Sequence, residues 1–373
     1  MTPSRNRAGA RVAALVVGVA IIAVVAVVVA DRVRGDAEAE AGCASSTTSV
    51  TGVIGSEKES YFKDPRVVER LACRGLRVTA DSLGSREMVV ALRKPEHGYG
   101  FAFPSSTPTA QKILGEFRLS DSYPLFSSPM VVATFNGVAD TLQRNGAVQA
   151  EPDGSRVVDV ATLLRFAREG TKWDQLEGPD RYRFPKAVEL RTTDPQDSSS
   201  AIMFLSLAAH VANNGSVVQT ADEVRRVVPD LCALVGRQGD KQRTSQDLFN
   251  DYLTKGYGRV PIGLVYEAQF LTRSPAPVLP PDAVMLYPRP TVYSRHTLIP
   301  LDDTGGQVGR ALRDDQELVR LAAEHGFRPE SPTSQPVGAD RSPTSVVESP
   351  SFEVLETMLD ELAAIQRSGR GCP

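Results

Sequence analysis

The stretch that decides the fold is Ser49–Lys58, SVTGVIGSEK, followed closely by Asp64–Gly75, DPRVVERLACRG. The first segment is rich in β-branched residues and ends in Gly-Ser, which predicts a strand that stops in a tight turn. The second segment places apolar residues at helical spacing and closes on Gly75, which predicts a helix ended by glycine. Together the two segments predict a strand–turn–helix unit.

The same order recurs in Leu76–Lys94, LRVTADSLGSREMVVALRK, and in Gly98–Leu114, GYGFAFPSSTPTAQKIL. Successive units of this kind are typical of a parallel sheet with helices on its faces. The three turns then lie at the carboxyl edge of the sheet, where open α/β proteins bind ligands. Each turn carries a serine, at Ser56, Ser85 and Ser105. An ordinary turn role is the alternative for each serine taken alone.

A second group of hydroxyls lies in Thr193–Asn213, TDPQDSSSAIMFLSLAAHVAN, directly ahead of an apolar helix. One Ser, Thr or Asp is enough to cap a helix N-terminus. The hydroxyls of Ser198 and Ser199, with the free amides and the positive end of the helix dipole, could therefore bind an anion or a polar solute. Redundant capping is the alternative interpretation.

The remaining pattern predicts two lobes and no internal repeat. Tyr123–Leu142 contains a long extended run, which predicts a crossing between lobes. A second unit follows, with a strand at Ala187–Thr193, several capped helices and a returning strand within Arg259–Leu271. Pro and Ser dominate Glu330–Ser351, which predicts a surface excursion. An amphipathic helix follows at Ser351–Arg367 and is expected to dock on the body.

The N-terminal segment Val12–Ala30 is apolar and uncharged, and a transmembrane helix needs about 20 such residues. Arginines precede it and acidic residues follow it, so the positive-inside rule places residues 1–11 in the cytoplasm and the body outside. Residues 31–48 then form a tether. A cleaved signal peptide is the alternative, although its apolar region is usually shorter, about 7–15 residues. Lipid modification of Cys43 is not expected.

The four cysteines, Cys43, Cys73, Cys232 and Cys372, lack the Cys-x-x-Cys spacing of zinc sites. Disulfides suit an extracytoplasmic body better, and three pairings are possible. A strand that starts near Val50 and a helix that runs back to Cys73 place Cys43 and Cys73 at the same end of one unit. The predicted pairs are therefore Cys43–Cys73 and Cys232–Cys372.

Composition and motifs argue against several classes of function. The 373 residues are 41% hydrophobic with a formal net charge of −3, so no basic surface suggests nucleic acid binding. The four histidines are scattered, and no His-Glu-x-x-His, Gly-x-Ser-x-Gly, P-loop or Gly-x-Gly-x-x-Gly motif occurs. We therefore expect no catalytic residues, no metal site and no cofactor.

The order of six short motifs resembles type II extracellular solute-binding proteins, and most closely their molybdate- and tungstate-binding branch. The motifs are VIGSEK, DSLGSR, FAFPSS, ELRTTDPQDSSSAIMFLSL, VPIGLVYEAQF and MLYPRPTVY, and the likeness runs from about Val50 to Gly326. GSEK with DPRVV and a later DPxxSxS is also similar to membrane-anchored solute-binding proteins of high-GC Gram-positive bacteria. The resemblance implies two open α/β lobes joined by crossover strands. Residues 49–129 with 268–373 would form the first lobe, and 130–267 the second.

The resemblance also implies a ligand site between the lobes. Ser56 and Ser85 would contribute from the first lobe with Ser105 beside them, and Ser198, Ser199 and Tyr266 would contribute from the second. The sequence departs from the oxyanion pattern, because Glu57 and Lys58 follow Ser56 and Arg86 follows Ser85. These charged side chains are most simply solvated or paired with a neighbouring carboxylate.

The expected function is therefore capture of a small polar or anionic solute outside the cell membrane, for an ABC-type permease. The runner-up is a ligand-free sensory or structural envelope module of the same fold that binds a protein partner. Bulky apolar residues in place of the cleft hydroxyls would favour that second interpretation.

Overall fold

The structure is a computed structural model of the chain and describes residues 43–236, 238–239, 241–330, 334–339, 343, 345–368 and 372. The predicted cytoplasmic residues 1–11, the predicted transmembrane helix 12–30 and most of the predicted tether lie outside these residues. Among the residues that are described, no helix has both the length and the apolar character needed to span a bilayer.

The described residues form ten strands that join in one mixed sheet. The strands are β1 (Thr48–Ile54), β2 (Leu76–Ser82), β3 (Phe101–Phe103), β4 (Tyr123–Phe135), β5 (Val148–Ala150), β6 (Arg156–Asp159), β7 (Ile262–Tyr266), β8 (Ala283–Arg289), β9 (Tyr293–Pro300) and β10 (Arg328–Pro329). Their order across the sheet is β2-β1-β3-β9-β4-β8-β6-β5, and β7 and β10 also pair with β4.

Thirteen α-helices accompany the sheet in the same described ranges. They are α1 (Glu59–Lys63), α2 (Pro65–Cys73), α3 (Ser85–Leu92), α4 (Thr107–Glu116), α5 (Asn136–Arg144), α6 (Val160–Glu169), α7 (Ser199–Ala212), α8 (Ala221–Val235), α9 (Ser245–Lys255), α10 (Glu267–Leu271), α11 (Asp303–Asp314), α12 (Gln316–Glu324) and α13 (Phe352–Ser368).

The three predicted strand–turn–helix units are confirmed. β1 pairs in parallel with β2 and with β3, so their carboxyl ends meet at one edge of the sheet. The helix of the first unit starts where the sequence predicts, because the Asp64 side chain accepts from the Arg66 amide and Pro65 occupies the first turn. Gly52 lets the strands pack, since a side chain there would collide with the Phe101 ring.

The long strand β4 joins two groups of strands. Its first half, Tyr123–Pro129, pairs with β9, and its second half, Met130–Phe135, pairs with β7 and β8. The fold is therefore two-lobed, with β4 shared between the lobes. β8 follows the predicted boundary at residue 267 and yet pairs with the second half of β4 and with β6. The exact lobe boundaries stay a prediction.

The predicted strand at Ala187–Thr193 is wrong, because this segment forms only isolated bridges at Ala187 and Arg191. Arg191 does exchange backbone hydrogen bonds with the start of β7. The next amide, that of Thr192, instead donates to the Gln238 side chain at 2.9 Å. This amide lies on the edge of the segment opposite β7, where a side chain and not a second strand accepts its hydrogen bond.

Both predicted disulfides are confirmed. Cys43 bonds to Cys73 at the end of α2, and Cys232 on α8 bonds to Cys372, with Cα–Cα distances of 4.2 and 5.4 Å. The second bond closes the C-terminal region onto α8, against which α13 packs its buried leucine and methionine side chains. This leaves no free cysteine among the described residues.

Candidate ligand-binding site

A cavity of about 330 Å³ lies at the carboxyl ends of β1, β2 and β7. We call it the cleft. Its lining comes from five places in the chain: 55–57, 82–84 with Glu87, 197–199, 243–245 with Asp247, and Tyr266. The first two belong to the predicted strand–turn–helix edge, and the others to the starts of α7 and α9 and the end of β7. Both groups of strands therefore contribute to one cavity.

Glycine allows the two sides of the cleft to meet. A side chain at Gly84 would collide with the backbone carbonyl of Asp197 on the opposite side. Next to this point the Ser85 and Ser199 hydroxyls form a hydrogen bond with each other. The α3 and α7 starts thus lie in direct contact at one end of the cleft.

The structure brings together four of the six predicted site residues as cleft lining: Ser56, Ser198, Ser199 and Tyr266. Ser85 is buried at the Ser199 contact and does not line the cavity. Ser105 is buried beneath the cleft and donates to Glu57 Oε1 at 2.6 Å. The ligand-binding roles of all six residues stay predictions.

The serines at the start of α7 do not act as redundant caps. Ser198 occupies the N-cap position, and its side chain makes no capping hydrogen bond. Its hydroxyl instead contacts the Ser200 hydroxyl at 2.9 Å, and Ser200 in turn contacts Thr193 Oγ1 at 2.8 Å. Since Ser199 bonds to Ser85, the hydroxyls hold the cleft wall and leave the first-turn amides of α7 without a side-chain cap.

A buried cluster lies behind the cleft lining and reaches the cavity through Glu57. We call it the Glu57 cluster: Glu57, Lys58, Ser105, Ser294 and His296. The Lys58 ammonium is fully buried and donates to Glu57 Oε1, to Ser105 Oγ at 3.2 Å and to His296 Nδ1 at 3.0 Å. Three acceptors match its three N–H donors. His296 Nε2 then donates to Ser294 Oγ at 3.0 Å, and Ser294 donates to the Ser105 carbonyl at 2.6 Å.

Charges within this cluster shift three pKa values. Burial alone would raise the pKa of Glu57, yet the Lys58 ammonium outweighs it and holds that pKa well below its usual range. Burial lowers the pKa of Lys58, against the opposing effect of Glu57. Burial and the nearby Lys58 charge lower the pKa of His296 to about 4, so its imidazole is neutral at pH 7. The neutral ring fits the acceptor role of Nδ1.

Tyr266 connects the cluster to the cavity. The residue is buried at the end of β7 and lines the cleft. Burial first, and then the Glu57 carboxylate, raise the pKa of its phenol well above the ordinary value. The hydroxyl therefore stays protonated and remains a hydrogen-bond donor at neutral pH.

The sequence interpretation of the flanking charges holds in part for both residues, since Arg86 is paired with a carboxylate but not with the neighbouring Glu87. Arg86 lies outside the cleft lining and pairs with Glu356 at 2.9 Å and with the Gln196 amide oxygen at 2.6 Å. Lys58 pairs with Glu57 as predicted, but as a fully buried group and not at the surface. All three N–H donors of its ammonium bond to groups inside the protein, so Lys58 has none left for a ligand.

Sequence reasoning missed three parts of this site. His296 reaches the cluster only because β9 pairs antiparallel with β3, far away in the chain. Arg243 and Asp247 line the cleft from the start of α9. The sequence did contain a signal for Arg243 and Asp247, because Thr244 and Asp247 have the spacing of a helix cap. In the structure Asp247 accepts from the Thr244 hydroxyl at 2.7 Å.

Metal binding finds no support in the described part of the chain, where no group of three or more His, Cys, Asp or Glu side chains is placed to hold an ion. His210, on the apolar helix α7, is one of the scattered histidines of the sequence. Burial lowers the pKa of His210.

Comparison with solved structures finds the same fold in solute-binding proteins. The sulfate-binding protein SubI from Mycobacterium tuberculosis H37Rv aligns with a TM-score of 0.54 at 16% identity, over 83% of this chain and 96% of that chain. A periplasmic thiamin binding protein aligns at 0.56 and 10%, over 86% and 96%. AfuA from Actinobacillus pleuropneumoniae, with exogenous fructose-6-phosphate bound, aligns at 0.56 and 12%, over 85% and 98%.

At these identities the likeness shows the fold, which is the two-lobed α/β fold of periplasmic solute-binding proteins. The three structures are named as binding proteins and not as enzymes. Their ligands differ, so the molybdate branch is not singled out. No protein-family model matches the chain. No curated protein matches it.

Proposed function

We propose that the protein is an extracytoplasmic receptor that captures a small polar solute in the cleft and presents it to an ABC-type permease. The observation that carries the proposal is the cleft itself, a polar cavity with walls from both lobes. Its volume lies at the small end of the range for ligand pockets, about 300–1,000 Å³. A ligand held there would contact both lobes and stabilise their closed arrangement.

Three features support a binding role for this cavity. Ser198 and Ser199 at the start of α7 line the cavity, and the Ser198 side chain caps none of the first-turn amides. Ser56 and Ser199 line the cavity from opposite lobes. The alternative, a ligand-free envelope module, would be favoured by bulky apolar residues in the cleft, and the lining is instead mostly hydroxyl and carboxylate groups.

The proposal includes membrane attachment through Val12–Ala30, with the body outside the cell. It rests on the arginines that precede the apolar run and on two disulfides, which persist in oxidising compartments. Ser351 is exposed and suits a labelling test as Ser351→Cys. An impermeant thiol reagent is expected to label this variant in intact cells. Labelling that appears only after lysis would place the body in the cytoplasm and contradict the proposal.

Ligand capture is tested first by thermal stabilisation of the purified protein. The probes are sets of oxyanions, sugars, amino acids and small amines. A ligand that binds only the folded state stabilises it by about 2.7 kcal/mol at a concentration a hundredfold above Kd. A melting temperature that no probe raises would contradict the proposal.

Replacement of the cleft serines then separates binding from stability. With the ligand found above, Ser199→Ala and Ser56→Ala are each expected to raise Kd about ten- to hundredfold, the loss of one hydrogen bond to a charged group. Ser199 is not the N-cap, so the free energy of unfolding should fall by no more than about 1 kcal/mol.

Ser206→Ala is the matched control for these variants. Ser206 lies on the same helix and donates to the Ile202 carbonyl at 3.0 Å, away from the cleft. Calorimetry should show an unchanged Kd for this variant. Equal affinities for Ser199→Ala, Ser56→Ala and Ser206→Ala would remove the cleft serines from the binding site.

A further inference from the structure

The charges of the cleft carry an inference about its ligand, which rests on the proposed function above. The cleft lining contains four carboxylates and a single guanidinium, that of Arg243. Arg243 is already paired with Asp197, at 3.2 Å between Nε and Oδ2. Glu87 and Asp247 form no ion pair with any described residue. An anion in this cavity would therefore meet uncompensated negative charge.

The buried acid of the Glu57 cluster provides an independent observation. The Glu57 side chain is 4% exposed, and its Oε1 accepts from Lys58 and Ser105. No described residue donates a hydrogen bond to its other oxygen, Oε2, although Glu57 lines the cavity. This oxygen is not fully enclosed by protein, so it is an acceptor that opens to the cavity. A ligand N–H group in the cleft would satisfy this oxygen.

Two of the three helix starts at the cleft already carry a carboxylate of the protein. Glu87 is the third residue of α3, and its carboxylate lies 3.4 Å from the Gly84 amide. Asp247 is the third residue of α9, where the Thr244 side chain caps its amide. At the third helix start, that of α7, the Asp197 carboxylate pairs with Arg243. An oxyanion site uses the positive ends of such helices, and carboxylates of the protein occupy these positions at α3 and α9.

We propose that the cleft selects a small organic cation, an amine or guanidine whose N–H groups donate to Glu57 Oε2, and that it rejects tetrahedral oxyanions. Glu87 and Asp247 at the cleft wall add attraction without a specific geometry. The Ser56 and Ser199 hydroxyls accept further N–H donors from such a ligand. Lys58 and Glu57 together form a neutral buried pair, so the net attraction for a cation comes from Glu87 and Asp247.

The test measures binding of matched probes to the purified full chain by calorimetry. The cations are ethanolamine, putrescine and agmatine, and the anions are sulfate, phosphate and molybdate. At least one cation is expected to bind, and no oxyanion is expected to bind. Glu57→Gln should raise the Kd of the bound cation about ten- to hundredfold. Glu57 also pairs with Lys58, so this variant can lose stability.

Two variants at the cleft wall keep the test independent of that loss. Glu87→Gln and Asp247→Asn preserve the shape and the hydrogen-bond acceptor of each side chain and remove only its charge. Each should raise the Kd for the cation about three- to tenfold. Glu223→Gln is the matched control, because Glu223 is the third residue of α8 in a capping box outside the cleft. It should leave Kd unchanged.

The outcomes separate this inference from the proposed function. Binding of an oxyanion, with affinity unchanged or improved in Asp247→Asn, overturns the inference and leaves solute capture intact. The same conclusion follows if only a neutral sugar or amino acid binds. Failure of every probe class to bind overturns both. A cation whose Kd is equal in Glu87→Gln, Asp247→Asn and Glu223→Gln overturns the assigned role of the cleft carboxylates.

Discussion

Replacing Lys58 with Met is expected to lower the free energy of unfolding by about 3–5 kcal/mol, the cost of leaving one partner of a buried ion pair alone. The Glu57 carboxylate would remain almost fully buried beside a neutral thioether. His296 Nδ1 and Ser105 Oγ would lose the ammonium donor as well. Met is close to Lys in length, so the change removes charge and hydrogen bonds with little change in volume.

Lys63→Met is the control for this prediction. Lys63 also pairs with a glutamate, Glu59, at 2.6 Å, but its side chain is 72% exposed. Exposed pairs of this spacing contribute only about 0.3–0.5 kcal/mol. Urea titrations of both variants compare the two ion pairs directly. A loss in Lys58→Met as small as in Lys63→Met would show that the Glu57 cluster is solvated.

The double variant Glu57→Gln with Lys58→Met tests the cause of the loss. If the unpaired carboxylate is responsible, removing its charge should recover more than half of the stability lost in Lys58→Met. A double variant less stable than Lys58→Met would instead assign the loss to packing.

The cleft lining packs directly on the Glu57 cluster. Gly55 lines the cavity, and a side chain at Gly55 would collide with Ser105 Oγ and the Glu57 carboxylate.

Local sequence signals predict those parts of the fold that local chemistry determines. The strand β1 begins with exposed residues and ends with three buried ones. Asp64 and Pro65 start α2, and Gly75 follows this helix in the left-handed conformation that glycine adopts easily. The parallel order follows because strand–turn–helix units can pack back on a sheet in few ways. The disulfide Cys43–Cys73 is then a consequence of the same unit.

Pairings between distant segments could not be predicted from such signals. β8 joins the strands of the second group, a choice that depends on β4 and β6 and not on its own residues. The segment Ala187–Thr193 has strand composition, and Gln238 takes the hydrogen bond of Thr192. A side-chain substitute of this kind leaves no trace in the periodicity of the segment.

Some residues of the candidate site could likewise be predicted from local sequence, and others could not. Ser56, Ser198 and Ser199 were predictable, because hydroxyls at strand ends and helix starts have a local reason to be there. The burial of Lys58 was not, since its partner His296 lies 238 residues away. A lysine next to a glutamate is most simply solvated. The sequence alone left the charge of the ligand open, and our proposal of a cation depends on where the structure places the carboxylates.

Removal of the Cys232–Cys372 disulfide is expected to lower the free energy of unfolding by about 3–5 kcal/mol. The bond closes a loop with a sequence separation of 140 residues, whereas Cys43–Cys73 spans 30. The chain-entropy relation gives about 5 kcal/mol for the longer loop and about 3.5 kcal/mol for the shorter one. The paired variants are Cys232→Ser with Cys372→Ser, and Cys43→Ser with Cys73→Ser as the matched control.

The folded contacts around the longer loop strengthen this ordering. The helix α13 packs against α8 next to the disulfide, and it also forms ion pairs with helices of the other strand group, Arg86 to Glu356 and Lys112 to Glu353 at 3.1 Å. These surface pairs are worth little alone. The disulfide and the buried apolar face of α13 therefore supply most of the restraint that keeps this helix in place.

Denaturant midpoints and proteolysis together check this last prediction. The Cys232→Ser, Cys372→Ser variant should unfold at a lower urea concentration than the Cys43→Ser, Cys73→Ser variant. Limited proteolysis should release α13 first, because its remaining attachment is the buried face of Leu355, Met358, Leu359 and Leu362. A larger stability loss in the Cys43 and Cys73 variant would show that the strand–turn–helix unit at β1, and not the C-terminal helix, depends most on its disulfide.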